Sequence, residues 1–302
     1  MSCSYAGEMR LVSLLPSATE IVYALGLGDQ LAGVTFECDE PPLARAEKTV
    51  VVGGLDTVGM TPGEIDRQLR DRMAAGQDLY TLHADALAGL RPDLILTQDL
   101  CQVCALPSGQ VSDALDYLGC QADVLTLDPH SLDGVLDSIL AVGKRARVAG
   151  RADEVVAGLQ ARLDRVATRV AGRDRPRVAM IEWTDPPFCA GHWVPDLITA
   201  AGGLPVAAVP GGRSVVTSWE SVAAERPDVV VVAPCGFHLA GAAEQARAVL
   251  PMLPEVPVWA IDGDGIVVRP GPRLVNGVEA LAAILHPGVV GAAPAGSVQR
   301  IR

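Results

Sequence analysis

Short apolar runs alternate with amphipathic stretches along most of the chain. In the first half, Arg10–Leu15, Leu31–Thr35, Thr49–Gly53, Asp78–Leu82, Asp93–Thr97 and Asp123–Leu127 read as strands. Between them, Ser17–Leu27, Ile65–Met73, Asp85–Leu90 and Val111–Leu118 carry apolar residues at helical spacing. Ser17-x-x-Glu20 predicts a capping box that starts the first helix, and Gly26 with Gly28 predicts its end. Strand, helix, strand at this spacing predicts a parallel sheet with helices on both faces.

From Ser131 to Gly172 the period changes. Leu132, Val135, Leu136 and Ile139, then Val155, Leu159, Leu163, Val166 and Val170, recur at helical spacing with charged residues between them. Two helices parted at Gly150 are expected. After Pro176 the alternation restarts, with strands at Arg177–Trp183, Val206–Val209, Asp228–Ala233 and Pro257–Ile261. Helices are expected near Pro195–Ala201, Ser218–Glu225, Leu239–Leu250 and Pro272–Leu285, and the Gly-, Ala- and Pro-rich tail after Pro287 reads as frayed. The halves echo one another, since Arg91-Pro-Asp-Leu-Ile-Leu96 is matched by Arg226-Pro-Asp-Val-Val-Val231. The resulting organisation is an α/β lobe over 1–130, a helical linker over 131–172 and a second α/β lobe over 173–302.

Composition narrows the function classes. The 302 residues are 49% hydrophobic and 20% charged, enough apolar content for two packed cores. A net charge of −12 without any Lys/Arg run argues against nucleic-acid binding. No apolar run approaches the roughly 20 residues of a membrane helix, so no membrane insertion is expected. Met1–Arg10 has neither a basic lead nor an apolar stretch. The expectation is therefore a cytoplasmic protein, or an exported one if the true start lies upstream. The seven cysteines are an odd number and suit free thiols or metal ligands better than disulfides.

Several segments together resemble the class III substrate-binding proteins of ATP-driven importers, the group that carries cobalamin, haem and ferric siderophores. They are Arg10-Leu-Val-Ser-Leu-Leu-Pro-Ser-Ala-Thr-Glu20, Ala24-Leu-Gly-Leu-Gly-Asp-Gln-Leu-Ala-Gly-Val34, Leu90-Arg-Pro-Asp-Leu-Ile95 with its second-half echo, and Gly191-His-Trp-Val-Pro-Asp-Leu-Ile198 followed by Ala201-Gly-Gly203. The wording is closest to the cobalamin-binding branch. The resemblance covers about Arg10 to His286. It implies two Rossmann-like lobes with parallel sheets, joined by a long interlobe helix, with a ligand held in the interlobe cleft. It also implies a carboxylate on each lobe for docking to an ABC permease. Glu220 matches the second-lobe position, and Asp85 lies in the comparable first-lobe stretch. The segment from about Thr57 to Leu82 and the strand-end cysteines depart from the family pattern.

Ligands of open α/β sheets lie beyond the carboxyl ends of the strands, which selects the candidate residues. Ser17, Glu37, Gln98, Glu182, Trp183, His192 and Trp193 are expected to line a site for a small-molecule metal chelate, cobalamin or a related corrinoid or tetrapyrrole. Flat aromatic faces suit such a ring. The function expected is non-catalytic binding. The alternative is a metalloprotein or enzyme in which Cys38, Cys101, Cys104, His192 and Cys235 hold zinc or another soft metal, because thiolate and imidazole are its usual ligands. Against that stands the ordinary use of cysteine as a small buried apolar residue.

Overall fold

The computed structural model describes residues 9–57, 59–99, 109–111, 113 and 121–302. The chain divides into two compact units, each built on its own sheet. In the first unit the strands are β1 (Leu11–Ser13), β2 (Leu31–Thr35), β3 (Thr49–Gly53), β4 (Thr81–Leu82), β5 (Leu94–Thr97) and β6 (Asp123–Thr126). Their order is β4-β3-β2-β1-β5-β6, parallel throughout except for the β3–β4 pair. The helices are α1 (Pro16–Ala24), α2 (Leu43–Glu47), α3 (Pro62–Ala74) and α4 (Ala84–Leu90), although Gly59–Gln68, which opens α3, belongs to the second unit. Val12, Leu14, Val51, Val52, Leu87 and Ile95 form the core under this sheet, each at most 1% exposed. Burial of such a side chain contributes about 1.5–3 kcal/mol, and this is why the strands read as unbroken apolar runs and not as alternating ones.

The second unit carries β7 (Arg177–Thr184), β8 (Pro187–His192), β9 (Leu204–Val206), β10 (Ala208–Pro210), β11 (Val229–Val232), β12 (Val258–Ile261) and β13 (Val298–Arg300). Its order is β10-β8-β7-β11-β12-β13, with β9 paired to β7. One edge of β7 is shared. Its first residues pair in parallel with β9, and its last pair in antiparallel with β8.

Both units close their central strand in the same way. The Arg10 N–H donates to Asp93 Oδ2 at 2.8 Å while the Asp93 N–H donates to Arg10 O at 2.9 Å. In the second unit the Arg177 N–H donates to Asp228 Oδ2 at 2.7 Å and the Asp228 N–H to Arg177 O at 2.8 Å. The two Arg-Pro-Asp segments each place their Arg in the left-handed region, φ 47° at Arg91 and 48° at Arg226, to leave the preceding helix. The sequence echo therefore marks one repeated device. A turn ends the helix, and the Asp then clamps the start of the adjoining strand.

The helical segment is α5 (Leu132–Arg145) and α6 (Ala149–Val170). Asp137–Val155 belongs to the first unit, whereas Pro129–Leu136 and the chain from Val156 onward belong to the second. Arg151 is held in the first unit by donating to Leu25 O at 3.2 Å, and Arg162 in the second by Glu279. The break lies at Ala146–Val148, where Arg147 takes φ 61°, and Gly150 sits inside α6 instead of dividing the helices. The remaining helices are α7 (Val194–Ala200), α8 (Trp219–Ala224), α9 (Leu239–Val249), α10 (Gly263–Ile266) and α11 (Leu274–Leu285).

Other expectations are corrected. The capping box is absent: α1 starts one residue earlier, with Leu15 at the N-cap, no side-chain cap, and Pro16 at the first position. Proline supplies helical φ and removes an N–H that would otherwise need a cap, so Ser17 is not required there. The single strand expected over Val206–Val209 is two, parted by Ala207 at φ 47°. The tail is not wholly frayed, because Val298–Arg300 pairs in antiparallel with β12. The helix expected at Val111–Leu118 lies almost wholly outside the described residues. Among the described residues, no helix is long and apolar enough to cross a membrane.

Candidate functional site

Each sheet has a topological switch point, where successive connections leave in opposite directions and a crevice opens beyond the strand ends. In the first unit it lies between β1 and β5. Ser17 is buried there in the first turn of α1, and Gln98 is buried just past β5. Beneath them is a knot of small polar groups. The Ser13 hydroxyl donates to Leu15 O at 2.8 Å, and Thr19 Oγ1 lies 2.9 Å from Ser13 Oγ and 3.0 Å from Cys38 Sγ. Thr35 adds its Oγ1 at 3.3 Å from the same sulfur and its N–H at 3.4 Å. Cys38 is completely buried, so its thiol is an interior hydrogen-bonding group and not a surface ligand. Glu37 stands partly exposed next to it, its N–H donating to Thr35 Oγ1 at 3.2 Å.

In the second unit the switch point lies between β7 and β11. The β7–β8 register shifts between Ile181 and Trp183, so Glu182 sits in a bulge. A bulge re-aims the side chain it contains. Glu182 Oε1 accepts the Gly191 N–H at 2.8 Å and Oε2 accepts the Ser214 hydroxyl at 2.6 Å. Burial pushes this carboxyl up to about 7, although the Ser214 and Gly191 hydrogen bonds pull the other way. A Cβ on Gly191 would meet Ser214 N at 2.2 Å, so only glycine lets the 211–214 loop approach closely enough to supply that hydroxyl.

Past the bulge, Trp183 pairs with Phe188, and Phe188 pairs in turn with Val216. Directly paired residues share a face of the sheet, so these three make one apolar row, and Val215 and Val216 are about half exposed. Phe237, in the loop after β11, extends the row. Its ring lies 5.9 Å from that of Trp183 at an interplanar angle of 57°. The Trp183 indole N–H is tied to Asp185 O at 3.0 Å, which fixes the ring as a partly exposed platform.

His192 ends β8 in the left-handed region at φ 49°, and its N–H donates to Gly212 O at 2.5 Å. Its ring stacks on Trp193 at 5.6 Å and lies 6.0 Å from that of His130, whose Nδ1 is 3.0 Å from Gly211 O. Nε2 of His192 is buried and has no hydrogen-bond partner among the described residues. Burial, then His130, then Arg213 lower its pKa, so the imidazole is neutral at pH 7. Trp193 is not the platform expected of it. It is 5% exposed and its N–H donates to Val267 O at 2.9 Å, which makes it a core residue at the start of α7.

The expected soft-metal set is not assembled. Among the described residues no cysteine stands in a group of three ligating side chains. Cys235 is exposed after β11, with its N–H bonded to Glu182 O, while Cys101 and Cys104 lie outside the described residues. Glu220 is exposed in the first turn of α8, where its own N–H and the Ser218 hydroxyl lower its pKa. Sequence reasoning missed Ser214 and the role of His130. Nothing local marks Ser214, and only the glycine at 191 hinted at a close crossing.

The second unit thus offers a fixed aromatic row beside an imidazole that is neutral at pH 7 and a carboxyl that keeps its proton up to about pH 7. This surface suits a flat, largely apolar ligand with a few polar groups. A family model described as periplasmic binding protein matches residues 11–260. An uncharacterized ABC transporter substrate-binding lipoprotein, YvrC, of Bacillus subtilis is 25% identical over 286 residues, covering 92% of this chain and 80% of that one. A vitamin B12-binding protein of Vibrio cholerae is 25% identical over 281 residues, covering 91% and 88%. The crystal structure of a periplasmic haem-binding protein from Pseudomonas aeruginosa superposes with a TM-score of 0.71 at 22% identity, covering 97% of both chains.

Proposed function

We propose, from the premise that this chain belongs to the periplasmic binding protein family, that it binds a flat metal chelate, a corrinoid such as cobalamin or a haem-type tetrapyrrole, without transforming it, and passes it to an ABC permease. The carrying observation is the register-locked row of Val216, Phe188 and Trp183, extended by Phe237, at the switch point of the second sheet. Ring faces of this kind hold a macrocycle by dispersion and stacking. His192, neutral at pH 7, and Glu182, whose carboxyl keeps its proton up to about pH 7, leave the platform with little fixed charge below that pH. Glu220, exposed on α8, is the docking carboxylate toward the permease. The names of the relatives support the ligand class. They do not favour a zinc centre, and the cysteine set expected to hold one is not assembled among the described residues.

The test is native mass spectrometry of the protein with cobalamin and, separately, haem. A stoichiometric complex with either probe is expected, and Trp183→Ala is expected to weaken it at least tenfold, about 1.4 kcal/mol. No complex with either probe overturns the reading. Fractionation of cells expressing the gene with its own upstream region then separates delivery outside the inner membrane from handling in the cytoplasm.

A further inference from the structure

On the α6 side of the second unit, away from the strand ends, Arg162, Arg165 and Arg169 border a cavity of about 380 Å³. Their spacing of three and four residues puts them on one stripe of the helix. Val166 and Pro294 supply apolar wall, and Glu279 is the one acidic residue of the lining. Two of the arginines are fixed. Arg162 donates to both Glu279 oxygens, at 3.0 and 2.6 Å, and to Asn276 Oδ1 at 2.5 Å, while Arg169 donates to Val289 O at 3.2 Å. Arg165 makes no hydrogen bond or ion pair with the described residues, yet it borders the same cavity. Glu279 neutralises one guanidinium, which leaves two positive charges unmatched at this spot in a chain of net charge −12.

From this we infer that the cavity is a second binding site, for a multivalent phosphate anion. Guanidinium forks match phosphate oxygens in pairs, and Arg165 and Arg169, both exposed at the rim of the cavity, present two such forks one helical turn apart. The volume falls in the range of small-molecule sites and leaves room for a diphosphate or a phosphate ester as well as for bare phosphate. Arg162, anchored by Glu279 and Asn276, sets the wall, and Arg165 and Arg169 contribute the free charge.

The probe is inorganic pyrophosphate, titrated calorimetrically into the full chain at low salt. Sodium chloride of equal ionic strength is the blank, and Arg247→Gln, at an exposed position of α9, is the control for loss of a surface arginine elsewhere. Binding of one pyrophosphate per chain is expected, weakened at least tenfold in the double variant Arg165→Gln/Arg169→Gln and unchanged in Arg247→Gln. Circular dichroism verifies that the double variant is folded. Heat no different from the chloride blank overturns the inference, as does binding that survives intact in the folded double variant. Cobalamin or haem binding is measured in the same samples. Its retention in the double variant separates this site from the strand-end site.

Discussion

The two units share a construction and treat their polar groups in opposite ways. Each clamps its central strand by the same Asp bracket, and each opens at a switch point beside that strand. In the first unit the side chains at that point satisfy one another. Ser13, Thr19, Thr35 and Cys38 form a closed knot of short contacts. In the second unit a carboxyl is desolvated until it titrates near neutrality, an imidazole nitrogen is buried without a partner among the described residues, and aromatic rings remain partly exposed. A knot of satisfied hydroxyls contributes stability and offers a ligand little. A buried group kept in its uncharged form costs stability, and such costs concentrate at functional sites.

The contrast can be broken most strongly at Trp193, which the second unit uses as core. Trp193→Ala is expected to cost about 3–5 kcal/mol of stability, read from the denaturant midpoint. Trp183→Ala, on the surface row, is expected to cost less than about 1 kcal/mol and to act on ligand affinity instead. Equal stability losses in the two variants would erase the distinction between core and platform.

Next in size is Glu182. Its carboxyl titrates near 4.5 when unfolded and at about 7 when folded, so the native state holds the proton more tightly. Its contribution is intact below pH 4.5, falls as pH rises from 4.5 through 7, and above 7 stands at a penalty on the order of 3 kcal/mol. Glu182→Gln, uncharged at every pH, is expected to be more stable than the parent at pH 8 and to converge with it toward pH 4.5. His192 works in the other direction. Its lowered pKa means that stability is lost as pH falls below 6.5. A Glu182→Gln difference that does not change with pH would show the carboxyl to be solvated.

In the first unit the matching substitution carries the opposite sign. Thr19→Val removes a hydroxyl from a satisfied knot and is expected to cost about 1 kcal/mol at any pH from 5 to 8. The smallest effects, alike in both units, are expected from the brackets. Asp93→Ala and Asp228→Ala each remove one acceptor from an exposed strand start, for about 0.5–1.5 kcal/mol apiece. A large inequality between them would show that the repeat is one of sequence only.

Much of the architecture was legible because it rests on local signals. β2 and β3 occupy Leu31–Thr35 and Thr49–Gly53, as the apolar runs predict, since a strand buried on both faces must be apolar throughout. The Arg-Pro-Asp echo pointed to two similar units because each copy does its work within a few residues of itself. The α5–α6 boundary was misplaced because Gly150 is an ordinary breaker on paper, whereas the chain turns at Arg147, a residue whose left-handed conformation nothing local demands.

The site was legible only in outline. Sequence by itself determined the residue types at the strand ends and hence a rim carrying Glu182, Trp183 and His192. Tertiary structure alone decided that Trp193 faces inward while Trp183 stays at the surface, that a bulge buries the Glu182 carboxyl against Ser214, and that Cys38 lies in a hydroxyl knot. The physical reason is range. Periodicity and turn chemistry act over a few residues, whereas the partner that fixes a side chain's direction or proton, Ser214 for Glu182 and Val267 for Trp193, arrives from 32 and 74 positions away.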